Sequence, residues 1–223
     1  MYFSKNQFVQ LCELQDTLNT NILGTDWKQQ PIRWSTAIFT EACEAINYLG
    51  WEWWKSPNSD TKQAQLEIID MLHFAISGAI VNTSDYENLF DSIEDGANSM
   101  PDDQKVLMLS WETIDCCTEA AMHAVMGNYA FACYLCNVAA NTLGMSSTEV
   151  FNMYIGKNVL NQFRKANGYK EGTYFKMWLG KEDNEYLTKI MDEHAQDNTT
   201  VTVEQLTAQL QEIYNNVCAS AQH

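Results

Sequence analysis

Trp34-Ser-Thr-Ala-Ile-Phe-Thr-Glu41-Ala-Cys-Glu44-Ala-Ile-Asn-Tyr-Leu-Gly-Trp51 is an apolar run with two acids set into it. At helical pitch Glu41 and Glu44 share a face with Trp34, Ala37, Ile38, Ala45 and Tyr48, so this is no solvated stripe. A second run repeats the arrangement: Gln65-Leu-Glu67-Ile-Ile-Asp70-Met-Leu-His73-Phe74. From Gln63 to Ser84 the only acids are Glu67 and Asp70. Each pair is spaced i, i+3, which points both carboxylates of a pair the same way.

Working outward from these runs, helical periodicity dominates and alternating strand patterns are nearly absent, so the fold class is all-α. The pattern predicts a first helix over 6–23. Pro31 fits the first turn of a second helix, running to about Lys55. Asn58 or Ser59 caps a third, through about Asn82. Residues 83–103 are polar and acidic, with Asp95-Gly96 and Pro101 as breakers, and read as a linker or excursion. Helices are expected over 104–126 and 129–143. Ser146 with Glu149 forms a capping box for a helix over 147–167. A loop rich in Gly, Tyr and Lys follows to about Lys181, then short helices near 183–195 and 202–217. The implied organisation is a helical core from 1–82 and 144–195, an inserted helical region at 83–143, and a C-terminal helix and tail at 196–223.

Bulk properties narrow the function. The 223 residues carry 29 acids against 13 Lys+Arg, a formal net charge of −16. Such a surface disfavours nucleic-acid polymers, which are bound through Lys and Arg. No apolar stretch is long enough to span a membrane, and Met1-Tyr2-Phe3-Ser4-Lys5-Asn6 does not begin a signal peptide. Seven cysteines, an odd number lying in helical patterns, fit reduced core thiols and a cytoplasmic location. Cys133-Tyr-Leu-Cys136 belongs to that set, as core packing.

Four carboxylates on two apolar helices carry a large desolvation cost unless a positive charge joins them. Neither run supplies a matching Lys or Arg. A hard divalent cation answers the cost, and oxygen-only ligands favour Mg²⁺, with Mn²⁺ as a substitute. A di-iron bundle needs Glu-x-x-His on two helices; Asp70 and His73 offer one related pair. A third acidic set, Glu112, Asp115 and Glu119 with His123, has fewer apolar flanks and reads as a solvated or interface face.

The few cations are concentrated. Lys157, Asn161 and Arg164 fall at i, i+4, i+7, and the following loop adds Tyr169, Lys170, Tyr174 and Lys176 before Glu182-Asp-Asn184. In so acidic a chain this is where an anion would bind, through an Arg fork and Lys point charges, while the stripe taken alone also fits an ordinary amphipathic helix whose charges face water. No P-loop and no GxSxG motif occurs.

These stretches together resemble the dimeric, all-α dUTPases, relatives of the MazG-like nucleotide pyrophosphohydrolases. The resemblance runs through Glu41-Ala-Cys-Glu44 to Trp51-Glu-Trp-Trp-Lys55, then Glu67-Ile-Ile-Asp70-Met-Leu-His73-Phe74. It continues through Lys157-Asn-Val-Leu-Asn161-Gln-Phe-Arg164, Gly168-Tyr169-Lys-Glu-Gly-Thr-Tyr174-Phe-Lys176 and Glu182-Asp-Asn184. It implies a helical bundle of the all-α nucleoside triphosphate pyrophosphohydrolase type. It implies hydrolysis of dUTP, and of dUDP, by a homodimer. Glu41, Glu44, Glu67 and Asp70 would be magnesium ligands, one of them orienting the attacking water. Lys157, Asn161, Arg164, Tyr169, Lys176 and Asn184 match phosphate- and sugar-contacting positions. Gln15 and Asn19, Trp53, and the His73-Phe74 pair would form the base pocket. Leu49-Gly50 stands where many relatives have proline. The rival readings are a pyrophosphohydrolase for another nucleotide such as dCTP, and a non-catalytic dimer engaging a protein partner through the inserted helices.

Overall fold

The computed structural model describes residues 3–56, 58–196 and 202–220. Among them the fold is all-α, with ten helices and one short antiparallel ladder. The chain divides into two compact units, Met1–Phe151 and Asn152–His223.

The first unit is built on a ring of four helices. These are α2 (Trp34–Tyr48), α3 (Thr61–Ile80), α6 (Thr113–Val125) and α7 (Tyr129–Thr142). α2 packs on α3, α3 on α7, α7 on α6, and α6 back on α2. Small side chains let the last three approach closely: Cys116, Cys117, Ala120, Ala121 and Ala124 of α6 and Ala132, Cys133, Cys136, Ala139 and Ala140 of α7 are all buried. Gly78 of α3 faces the ring of Tyr129, in space that a Cβ would enter. α1 (Lys5–Leu23) and α4 (Tyr86–Asn98) cover α3 and α7 and touch each other. Asp16 joins these two: it accepts from Trp27 Nε1 at 2.8 Å and from the Tyr86 hydroxyl at 2.6 Å.

Several expected elements moved. Pro31 does not open the second helix, because Ile32 N–H bonds Gln30 O in a turn and the first helical bonds converge on Arg33 O. That helix ends where Gly50 takes φ +64, so Trp51–Lys55 lies beyond it. Asp60, rather than Asn58 or Ser59, caps α3 by accepting from Gln63 N–H at 3.1 Å. The expected linker at 83–103 contains α4, capped by Asp85 on Asn88 N–H. Its acids hid a helical stripe that seats Ile93 in the core and brings Phe90 within 5.8 Å of Phe8. The helix expected over 104–126 is interrupted after α5 (Asp102–Met108). The residues expected as an insertion, 83–143, thus supply α6 and α7, two of the four ring helices. Along the chain the division falls between Phe151 and Asn152.

The second unit contains most of α8 (Ser147–Ala166), the ladder β1 (Met177–Trp178) with β2 (Lys181–Glu182), α9 (Asp183–Gln196) and α10 (Val203–Ser220). Ser146 caps α8 as expected: Glu149 accepts from Ser146 N–H at 2.8 Å. Leu179 and Gly180 both take positive φ, the sign required at both positions of a type I′ hairpin turn. The hairpin inserts Trp178 fully into the core, against Phe163, Tyr186 and Tyr214. α10 closes that core with Leu206, Leu210, Tyr214 and Val217.

Candidate active site

α2 and α3 bring three of the four expected acids together. One oxygen from each of Glu41, Glu67 and Asp70 lies within 4.8 Å of the others. Glu67 is buried and the other two are half-buried. The cause is helical spacing: Glu67 and Asp70 point one way from α3, toward the face of α2 that carries Glu41. Burial pushes the Glu41 carboxyl up to about 8, aided by the charges of Asp70, Glu67 and Glu44 and by a hydrogen bond with Glu67. Glu44 stands outside the three-oxygen group and is exposed.

The donor set fits a magnesium ion. It is all oxygen and negatively charged. An octahedral Mg²⁺ holds ligand oxygens at about 2.1 Å, hence roughly 3–4 Å from one another, within small side-chain adjustments of this cluster.

Beside Asp70, α3 carries a chain of polar groups through an otherwise apolar core. His73 Nδ1 lies 2.9 Å from Ile69 O, so Nδ1 is the donor nitrogen. Ser77 donates to His73 O at 2.8 Å. The same Ser77 oxygen accepts from Gln15 Nε2 at 2.9 Å and Asn19 Nδ2 at 3.0 Å, and Gln15 Nε2 also donates to Asn19 Oδ1. A hydroxyl has one proton and two lone pairs, so Ser77 fixes which way both amides point. Sequence reasoning missed Ser77, although it is a lone hydroxyl one turn after His73 in an apolar helix. Phe74 is half-buried, 6.3 Å from the Trp34 ring. Trp53 is 87% exposed and meets Trp54 edge-on, so the tryptophan segment is not core.

In the second unit the expected cations lie in a network instead of on a solvated stripe. Lys157 is 1% exposed and donates to Asn184 Oδ1 at 3.0 Å. Arg164 grips Asp183 through Nε at 2.8 Å and Nη2 at 2.7 Å, and reaches Asn161 Oδ1 at 3.1 Å. Its guanidinium lies over the ring of exposed Tyr169 at 5.8 Å. Lys176 is exposed and pairs with Glu182 at 3.0 Å.

The remaining candidates take structural roles. Asp115 accepts from Glu112 N–H at 2.9 Å, which spends those acids on starting α6. Cys133 and Cys136 are buried free thiols, and burial holds both well above the usual thiol range, as inert core residues require.

The model of the dUTPase family matches residues 7–169. The chain belongs to the dUTPase family. The match takes in α1 through α8, both acidic runs, and Lys157, Asn161, Arg164 and Tyr169; Lys176 and Asn184 lie beyond it. Membership makes the chain a dUTP diphosphatase with a nucleotide as substrate. No curated protein matches the chain. No helix among the described residues is long and apolar enough to cross a membrane.

Proposed function

We propose that this enzyme hydrolyses dUTP to dUMP and pyrophosphate, accepts dUDP as well, and requires Mg²⁺, with Mn²⁺ as a substitute. The observation that carries the reading is the convergence of Glu41, Glu67 and Asp70 within 4.8 Å across two helices. These three would hold the metal. When bound, the metal neutralises phosphate charge and acidifies a water.

The other steps belong to the chain. Glu44 lies outside the three-oxygen group and is exposed. It is therefore the acid able to orient a water and accept its proton. Phosphate and sugar contacts are assigned to Lys157, Asn161, Arg164, Tyr169, Lys176 and Asn184, whose donors suit anionic and hydroxyl oxygens. Gln15 and Asn19 are assigned to the uracil edge, with His73 beside them. Trp53 and Phe74 supply ring faces for the base; the exposure of Trp53 leaves its face available for stacking. The working form is assigned as a homodimer. Exposed Phe39 of α2, Met122 and Val125 of α6, and Met126 at the C-cap of α6 are apolar surface on neighbouring helices that a second copy would cover.

The test is pyrophosphate release from dUTP, dCTP and dTTP with and without Mg²⁺, with light scattering for mass. Turnover of dUTP alone, abolished by chelator, is expected. Equal turnover of dCTP would refute the uracil assignment, and undiminished activity in chelator would refute the metal.

A further inference from the structure

Asp183 opens α9, is fully buried, and lies beyond the residues matched by the family. Its carboxylate receives four hydrogen bonds. Oδ2 accepts from Arg164 Nε at 2.8 Å and from the Tyr174 hydroxyl at 2.7 Å. Oδ1 accepts from Arg164 Nη2 at 2.7 Å and from the backbone N–H of Asn184 at 2.8 Å. A carboxylate has about four acceptor sites, so this one is saturated and acts only through the groups it holds.

Those groups are held in defined orientations. The bidentate bond fixes the plane of the Arg164 guanidinium, and Nη1 is tied to Asn161 Oδ1. Asn184 Oδ1 accepts from both Lys157 Nζ and Arg164 Nη2, at 3.0 and 3.2 Å. Both are donors only, so the amide oxygen must face them and the NH₂ must face away. One buried negative charge thus sets the direction of an arginine, a lysine partner and an amide. Burial works to raise the Asp183 carboxyl, but its bonds to Arg164 outweigh this and hold it below its usual range.

We propose that Asp183 is the positioning residue of the phosphate-recognition set, fixing Arg164 and the polarity of Asn184 for an inorganic pyrophosphate or nucleotide phosphate chain. This rests on the assignment of Lys157, Arg164 and Asn184 as phosphate contacts. A residue that only staples α8 to α9 would affect melting and leave ligand affinity alone. A positioning residue moves affinity in folded protein.

The experiment compares the full chain with Asp183→Asn, Asp183→Glu and Tyr174→Phe. Melting is measured first, and all assays are run well below the lowest midpoint. Calorimetry with inorganic pyrophosphate and the KM for dUTP are the readouts. Loss of a charge-assisted bond predicts at least about tenfold weaker pyrophosphate binding and a similar rise in KM for Asp183→Asn. Asp183→Glu recovers part of this, and Tyr174→Phe, which keeps the charge, loses less. Unchanged pyrophosphate affinity and KM in Asp183→Asn, or in Tyr174→Phe where Asp183→Asn does not fold, overturns the inference alone. A parent chain that binds no pyrophosphate overturns the phosphate assignment itself, and this inference with it.

Discussion

Glu41 of α2 and Glu67 of α3 each place a carboxyl oxygen within 4.8 Å of the other. Ionised side by side and partly out of water they repel, so burial and the neighbouring charges favour a proton on Glu41. A metal ion and that proton therefore compete for the same oxygens.

The sign of the pH effect follows. Glu41 moves from the ordinary 4.5 to about 8 in the folded chain. A group raised on folding contributes stability that is fully present below 4.5 and lost as pH rises through 8. Without metal, the melting midpoint should fall between pH 5 and pH 9. Mg²⁺ should raise the midpoint more at pH 9 than at pH 6, because the competing proton has left. Melting curves in chelator and in excess Mg²⁺ check this; equal Mg²⁺ stabilisation at both pH values would refute the shared site.

Asp70→Asn separates stability from activity. It removes one of the charges that raise Glu41, so the metal-free protein should melt higher near pH 8 than the parent. Turnover of dUTP should fall about a hundredfold or more, the scale of losing one preorganised electrostatic group. Glu44→Gln should also lose turnover, yet keep Mg²⁺ stabilisation, since Glu44 stands outside the three-oxygen group. A Glu44→Gln protein that no longer responds to Mg²⁺ would make Glu44 a ligand instead.

What the sequence showed of this site, and what it withheld, has a physical basis. Charge isolated in apolar helix declares burial, so the acids of both runs were visible as a set. The i, i+3 spacing fixes direction along one helix and says nothing of the facing helix. That is why the separate position of Glu44 needed coordinates. The Ser146–Glu149 cap was local and was legible. The stop at Gly50 was not, because Trp51–Lys55 continues an apolar pattern that only a positive φ interrupts. At 86–93 the polar residues Glu87, Asn88, Asp91 and Ser92 sit between Tyr86, Leu89, Phe90 and Ile93, and these four still make one helical face. Lys157 and Arg164 were found by type and spacing. Their burial, and the ties of Lys157 to Asn184 and of Arg164 to Asp183, depend on partners 27 and 19 residues away.

Gly78→Ala tests the ring of four helices. A Cβ on Gly78 would meet the Tyr129 ring inside van der Waals contact. Overpacking of this kind costs about 1–3 kcal/mol. Tyr129→Ala should cost stability in the parent and much less in the Gly78→Ala background, where it relieves the clash. Denaturant titration of the four proteins reads the coupling. Strictly additive losses would show that α7 does not approach α3 through this pair.

Ser77→Ala and Asn19→Ala test whether the buried amides read a base. Ser77 is the acceptor for both Gln15 and Asn19, so its loss strands two buried N–H groups at about 1–3 kcal/mol. That cost appears in melting whether or not a base binds there. The functional reading adds a second effect. With Ser77 gone, the direction of the two amides loses its shared acceptor and leans on the Gln15–Asn19 bond. Uracil and cytosine differ by reversal of donor and acceptor on one edge, so discrimination between dUTP and dCTP depends on that direction. The ratio of kcat/KM for dUTP over dCTP should fall roughly tenfold to a hundredfold in Asn19→Ala, the value of one hydrogen bond, and also fall in Ser77→Ala. Both variants melting lower with the parent ratio intact would leave Gln15, Asn19 and Ser77 as a tie between α1 and α3, and would move base recognition elsewhere.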